Sequence, residues 1–195
     1  DRFLATCEAY KIPATILLAK YDLAAADPEA AAAFHATYES AGYRVVDLST
    51  LDGTGLDAVR ALVAGRTTLV AGNSGVGKST LIQAIDPSLD IRTGEISDSH
   101  HKGRHTTTFS TMYPLAEGGA VIDTPGIKGF GLLDIDDAEL WHSFPEMMRV
   151  APGCRFYNCT HTHEPGCAVV EAVEAGEIAW SRYESYLKIL DDDEK

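Results

Sequence analysis

Gly72-Asn73-Ser74-Gly75-Val76-Gly77-Lys78-Ser79 places a glycine, four intervening residues and then Gly-Lys-Ser in one stretch, a spacing whose chemistry is phosphate binding. The glycines let consecutive backbone N–H groups turn toward one anion, and a helix starting at the lysine adds the partial positive charge of its N-terminus. Lys78 is expected to reach the β- and γ-phosphates of a nucleotide and to act in catalysis, while Ser79 offers a hydroxyl to a magnesium ion bridging them. Asn73, Ser74, Gly75, Val76, Gly77, Lys78, Ser79 and Thr80 are the expected phosphate contacts. Farther along, Asp123-Thr124-Pro125-Gly126 spells D-x-x-G. There the carboxylate is expected to hold magnesium through water and the Gly126 amide to meet the γ-phosphate.

Ahead of the phosphate loop, Ala19-Lys20-Tyr21-Asp22 resembles the guanine-reading N-K-x-D motif of GTPases, with alanine in place of the asparagine. A carboxylate at Asp22 accepts two hydrogen bonds from the N1–H and 2-amino edge of guanine, a donor pair adenine lacks, and leaving it desolvated and unpaired is costly. Lys20 would lay its methylene stem over the base. Without the asparagine, nucleotide affinity is expected to fall while guanine preference survives. Asp47-Leu48-Ser49 resembles the second base-binding loop, with Ser49 its candidate contact. Both base-reading loops thus precede the phosphate loop, the reverse of the order in ordinary small GTPases. That is a circular permutation, which leaves the site intact because each motif sits at a strand end.

Between the phosphate loop and D-x-x-G, Gly103-Arg104-His105-Thr106-Thr107-Thr108 lies in a polar stretch without periodicity, as functional loops do. Thr107, with Thr106 and Thr108 as alternatives, is the candidate threonine that completes the magnesium shell. Ile127 fills the place where many GTPases carry a water-orienting glutamine, and an aliphatic group cannot orient water, so slow intrinsic turnover is expected. His105 is the candidate substitute, since an imidazole near its ordinary pKa can accept a proton or position water.

Cys154-x₄-Cys159-x-His161-x₅-Cys167 gathers three thiols and an imidazole in a short segment. The set suits a closed tetrahedral zinc site with no open position for catalysis, hence a structural one. His163 is the competing ligand. Cys7 stands apart as a free thiol.

The elements that must position these groups follow from pattern. The chain has 195 residues, 45% of them hydrophobic, enough for one α/β domain and a small satellite. Apolar runs at 13–18, 43–48 and 67–71 read as strands, each followed by a helical stretch, at 28–41, 55–65 and 78–85. This alternation implies a parallel sheet covered on both faces. Asp27 is the expected N-cap of the 28–41 helix and Gly42 its C-terminal stop. Segments 109–114 and 120–123 flank Glu117-Gly118-Gly119 as a hairpin, and a helix is expected over 178–190 ahead of a charged tail. Sixteen Lys and Arg against 29 Asp and Glu give a net charge of −13, which excludes a broad basic face for phosphate backbones; any nucleic-acid contact within this chain must be local. No apolar run approaches the ~20 residues of a membrane helix, and no signal-peptide pattern opens the sequence. A cytoplasmic location, no membrane partner and a monomer are expected.

Together the permuted order, G-N-S-G-V-G-K-S-T, G-R-H-T-T-T, D-T-P-G and C-R-F-Y-N-C-T-H-T-H-E-P-G-C-A-V resemble the RsgA, or YjeQ, family of small-subunit-dependent GTPases over essentially the whole chain. The resemblance implies a circularly permuted P-loop NTPase α/β fold of three layers over 1–133, followed by a small α-helical zinc-binding domain over 134–195. It further implies hydrolysis of GTP to GDP with magnesium, stimulated by the bacterial small ribosomal subunit and its rRNA, in late subunit assembly. A nucleotide-binding scaffold with little intrinsic hydrolysis, whose zinc domain docks an RNA or protein, is the alternative. Family members also carry an RNA-binding OB-fold at the N-terminus; the sequence given, which opens at Asp1 without that barrel, is expected to be either a fragment of a longer protein or a chain that lost the domain.

Overall fold

The computed structural model describes residues 1–89, 91, 110–124 and 135–191. In chain order they form α1 (Arg2–Ala9), β1 (Thr15–Ala19), α2 (Tyr21–Ala24), α3 (Pro28–Ala41), β2 (Arg44–Leu48), α4 (Leu56–Val63), β3 (Thr67–Val70), α5 (Lys78–Ile85), β4 (Thr111–Pro114), β5 (Ala120–Asp123), α6 (Pro145–Val150), α7 (Ala168–Glu174) and α8 (Trp180–Leu190). Local chemistry sets the ends of α3: the Asp27 carboxylate accepts from the Ala30 amide at 3.0 Å, Pro28 occupies the first turn, and Gly42 leaves the helix at φ +107°. Both caps were legible in the sequence, because capping depends on residues within one turn.

The strands differ from a single parallel sheet. β1 and β2 form a two-stranded sheet, and β3, β5 and β4 form a three-stranded one in that order. β3 and β5 are parallel, from Thr67 opposite Ala120 to Val70 opposite Asp123. β4 runs antiparallel to β5, as the hairpin reading required. Its turn needs glycine at position 119, where φ is +88° and a Cβ would come within 2.5 Å of the Arg66 carbonyl oxygen. Along β3, exposed Thr67 and Leu69 alternate with half-buried Thr68 and Val70.

Two compact units emerge. One comprises Leu17–Ala26 and Val46–Lys128; the other Asp1–Ile16, Asp27–Val45 and Gly129–Lys195. The boundary expected between 133 and 134 lies outside the described residues. In the first unit, Val46, Leu48, Val59, Val63, Leu81, Ile82, Ile85 and Val121 make a buried core. Arg60 on α4 donates to the last carbonyls of α5, to Ala84 at 2.7 Å and Ile85 at 3.3 Å, so a cation completes the C-terminal end of that helix. In the second unit α8 buries Arg182, Tyr183, Tyr186 and Ile189, a spacing that makes one helical face, against Leu140, Phe144, Met147 and Val169.

Arg182 is 1% exposed and bridges two carboxylates. It meets Glu146 through Nε at 2.7 Å and Asp1 at 2.7 Å, with the rings of Phe144, Tyr43 and Tyr38 stacked around the guanidinium at 4.8, 5.5 and 5.8 Å. A charge so enclosed is tolerated because its donors are spoken for on both sides, and removing it leaves Glu146 buried without a partner. We predict that Arg182→Ala lowers the stability of this unit by about 3–5 kcal/mol. Urea unfolding followed by tryptophan fluorescence measures it, since the chain's two tryptophans, Trp141 and Trp180, both lie in this unit; an unchanged midpoint contradicts it.

Candidate functional site

Parallel strands end on the same edge of a sheet, so the register that sets Val70 opposite Asp123 decides which loops meet. β3 runs out into the glycine loop, and β5 ends on Asp123. Ser79 Oγ donates to Asp123 Oδ2 at 3.0 Å, and Thr124 Oγ1 donates to the Val70 carbonyl at 2.9 Å. The remaining oxygen, Asp123 Oδ1, is buried without a hydrogen-bond partner among the described residues. A buried carboxylate oxygen demands a partner, and a hydrated cation beside Ser79 is one that fits.

The glycine loop turns as the motif requires. Gly77 sits at φ +105° immediately before α5, a left-handed conformation that glycine adopts without strain, so the helix can begin at Lys78 with its first amides facing the loop. Asn73, Ser74, Gly75 and Val76 form the turn, while Ser79 and Thr80 stand in the first helical turn. Lys78 Nζ donates to the carbonyls of Gly72 at 2.9 Å and Asn73 at 3.0 Å. The ammonium thus lies across the loop's own mouth, where its donors can be exchanged for phosphate oxygens.

In the same unit, the two candidate base-reading loops come together. Asp22 Oδ1 accepts from Ser49 Oγ at 2.8 Å. Ser49 is fully buried, and its oxygen also receives the amides of Leu51 and Asp52 at 3.3 and 3.4 Å. One hydroxyl therefore fixes a carboxylate and a loop at once. Lys20 adopts φ +58°, a left-handed conformation uncommon outside glycine, which turns the chain into the short α2 and sends Lys20 outward while Asp22 faces Ser49. His105, Thr107, Gly126 and Ile127 lie outside the described residues.

The cysteine cluster is compact. The ligand atoms of Cys154, Cys159, His161 and Cys167 all lie within 4.8 Å of one another. Cys154 Sγ is 3.9 Å from Cys167 Sγ, and His161 Nδ1 is 3.6 Å from Cys154 Sγ and 3.4 Å from Cys167 Sγ. Metal–sulfur bonds of about 2.3 Å and metal–nitrogen bonds of about 2.0 Å at tetrahedral angles require about 3.8 Å between sulfurs and about 3.5 Å between sulfur and nitrogen, so the separations fit one small ion. Burial raises the thiol pKa values of Cys159 and Cys167 and lowers that of His161. A neutral imidazole is ready to ligate, and the thiols need a cation to ionise. His163, the competing ligand, stays outside: it is exposed, with Nδ1 2.8 Å from the Thr162 hydroxyl.

Three supporting residues escaped the sequence reading. Glu164 accepts from the Thr160 hydroxyl at 2.6 Å, the Thr160 amide at 2.7 Å, and the amides of Thr162 and His163 at 3.2 Å each. Desolvation pushes its pKa up, but these hydrogen bonds outweigh it and hold the carboxyl well below the usual range. Tyr183 and Tyr186 on α8 donate to the carbonyls of His161 and Thr160, both at 2.6 Å, allowing His161 its left-handed φ of +59°. Helical spacing marks the two tyrosines as a buried face; the carbonyls they reach are set by tertiary packing.

A family model described as RsgA GTPase matches residues 1–133. The chain belongs to the RsgA GTPase family. The small ribosomal subunit biogenesis GTPase RsgA of Porphyromonas gingivalis is 52% identical over 197 residues, covering 99% of this chain and 62% of the relative. The crystal structure of YjeQ from Thermotoga maritima superposes with a TM-score of 0.78 at 35% identity over 97% of this chain and 63% of that one. That of YloQ, described as a circularly permuted GTPase, gives 0.73 at 31% identity, covering 97% of this chain and 60% of that one. The chain therefore spans about three-fifths of the length of the relatives it matches. Its fold is the circularly permuted P-loop α/β fold with an appended helical segment bearing the cysteine–histidine cluster.

Because Glu164 organises the loop between Cys159 and Cys167, we predict that Glu164→Ala weakens divalent metal binding about 10-fold, as loss of partners that orient ligands does. Competition against a chromophoric chelator reads the change; an unaltered affinity refutes the role.

Proposed function

We propose that this chain binds guanine nucleotide with magnesium and hydrolyses GTP in the bacterial cytoplasm, acting on the small ribosomal subunit late in its assembly; its relatives are named small ribosomal subunit biogenesis GTPases. The observation that carries the reading is the meeting of Ser79 with Asp123 at 3.0 Å beside an unpartnered buried carboxylate oxygen. That pairing draws together the hydroxyl and the carboxylate a magnesium nucleotide needs, and magnesium when bound neutralises charge developing on the β- and γ-oxygens. Lys78 and the loop amides would hold the phosphates. Asp22, held by Ser49, would select guanine, with Lys20 against the base. Thr107 would complete the magnesium shell, the Gly126 amide would meet the γ-phosphate, and His105 would orient the attacking water in place of the glutamine that Ile127 displaces. Cys154, Cys159, His161 and Cys167 would hold a structural zinc ion, the metal that a closed set of three thiolates and an imidazole suits best.

The deciding measurement is multiple-turnover GTP hydrolysis with and without small ribosomal subunits. We expect slow turnover alone and a rise of at least about 10-fold with subunits, a modest share of the ~10³–10⁵-fold that a partner can supply to a GTPase. Nucleotide bound without turnover in either condition would favour the scaffold alternative. Asp22→Ala should weaken GDP binding by at least about 10-fold, the cost of losing hydrogen bonds to a charged acceptor, while ATP binding, measured by the same competition assay, stays where it was. Equal losses for both nucleotides would remove Asp22 from base selection.

A further inference from the structure

His161 is 1% exposed, and its two ring nitrogens meet different surroundings. Nδ1 faces the thiols, 3.6 Å from Cys154 Sγ and 3.4 Å from Cys167 Sγ. Nε2 is buried and has no hydrogen-bond partner among the described residues. When Nδ1 gives its lone pair to a cation, the neutral imidazole carries its proton on Nε2, so a buried N–H donor stands opposite the ligand set. A ligating histidine ordinarily passes that second N–H to a carboxylate, a carbonyl or water, and the acceptor fixes the ring's tautomer and orientation. No carboxylate or carbonyl of the described residues accepts it here.

The aromatic ring beside the imidazole is Trp141. Their centroids are 5.0 Å apart and their planes cross at 80°, the perpendicular arrangement in which the edge of one ring meets the face of the other. Two arrangements share those numbers. Were the indole to present its edge to the imidazole face, Nε2–H would be a desolvated donor with nothing to receive it, which is costly. With the imidazole edge toward the indole face, the N–H meets the negative side of the indole quadrupole. Only the second arrangement gives the buried donor a partner. Trp141 is itself held in place: the His142 ring stacks on it at 3.7 Å and 29°, His142 Nδ1 lies 2.8 Å from Glu139 Oε2, and the indole packs against the buried core of this unit.

We propose that Trp141 is a positioning residue of the metal site, its indole face accepting Nε2–H of His161 and so holding the imidazole in the tautomer that turns Nδ1 to the thiols. The proposal deepens the reading of the cluster as a zinc site and rests on it. A π face is a weaker acceptor than a carboxylate, so it orients the ring while leaving the imidazole a less basic ligand than one backed by a charge.

The test is proton and nitrogen NMR of the zinc-loaded 195-residue chain with labelled histidine rings. A proton above an aromatic face is shielded and one in the plane of the ring is deshielded, so the His161 Nε2 proton should resonate upfield of the other histidine ring N–H protons. Trp141→Phe keeps a π face and should keep most of that shift. Trp141→Leu should abolish it and weaken zinc binding about 3-fold in competition with a chromophoric chelator, the scale of one weak hydrogen bond. An unshifted or downfield proton in wild type, or zinc bound through Nε2, overturns the proposal, and this reading does not depend on any variant folding. So does a Trp141→Leu chain that keeps either the upfield shift or the wild-type zinc affinity. A wild-type chain that takes up no zinc overturns the metal reading and the proposal with it, whereas failure of the Trp141 role alone shows in protein that is loaded.

Discussion

The pairing of β3 with β5 is the constraint from which the rest of the proposed nucleotide site follows. Two parallel strands must be joined by a crossover, and they deliver the loops that follow them to a common edge. With Val70 opposite Asp123, the glycine loop leaving one strand and the carboxylate ending the other arrive together, close enough for the Ser79 hydroxyl to reach Asp123. A slip of one residue in that register would turn Asp123 to the opposite face of the sheet. The Thr124 hydroxyl, bonded to the Val70 carbonyl, pins the register at the position where it matters.

The same logic explains why reordering the motifs costs the site little. What the phosphate and base groups need is a set of loops emerging from strand ends, and connectivity elsewhere is free to vary. Ser49 and Asp22 show the principle on a smaller scale: they are 27 positions apart, yet one hydrogen bond of 2.8 Å unites two loops, and the buried serine oxygen ties the second loop's amides to the same point.

The cysteine–histidine segment is stabilised differently. It offers few large apolar side chains of its own, so its shape depends on polar groups that each satisfy several partners: the Glu164 carboxylate gathering amides, and two tyrosine hydroxyls from α8 ending on backbone carbonyls. Three thiolates drawn this close would repel one another, and burial raises the pKa of the Cys159 and Cys167 thiols, so a cation is what would take their protons' place. Binding of a metal ion there and local folding would in this sense be one equilibrium.

Sequence alone determined whatever depends on neighbours along the chain. The caps of α3, the hairpin of β4 and β5, the glycine loop running into α5 and the ligand spacing of the cysteines were all legible, because each is decided within a few residues by capping, turn geometry or side-chain period. Tertiary structure decided what depends on distant partners. Nothing in the order of residues says that the strands pair as two sheets, that Glu164 gathers the loop's amides, or that Arg182 is enclosed by Glu146, Asp1 and three aromatic rings. Those outcomes are settled by which buried groups find each other when the chain compacts, a competition among long-range contacts that local propensity cannot rank.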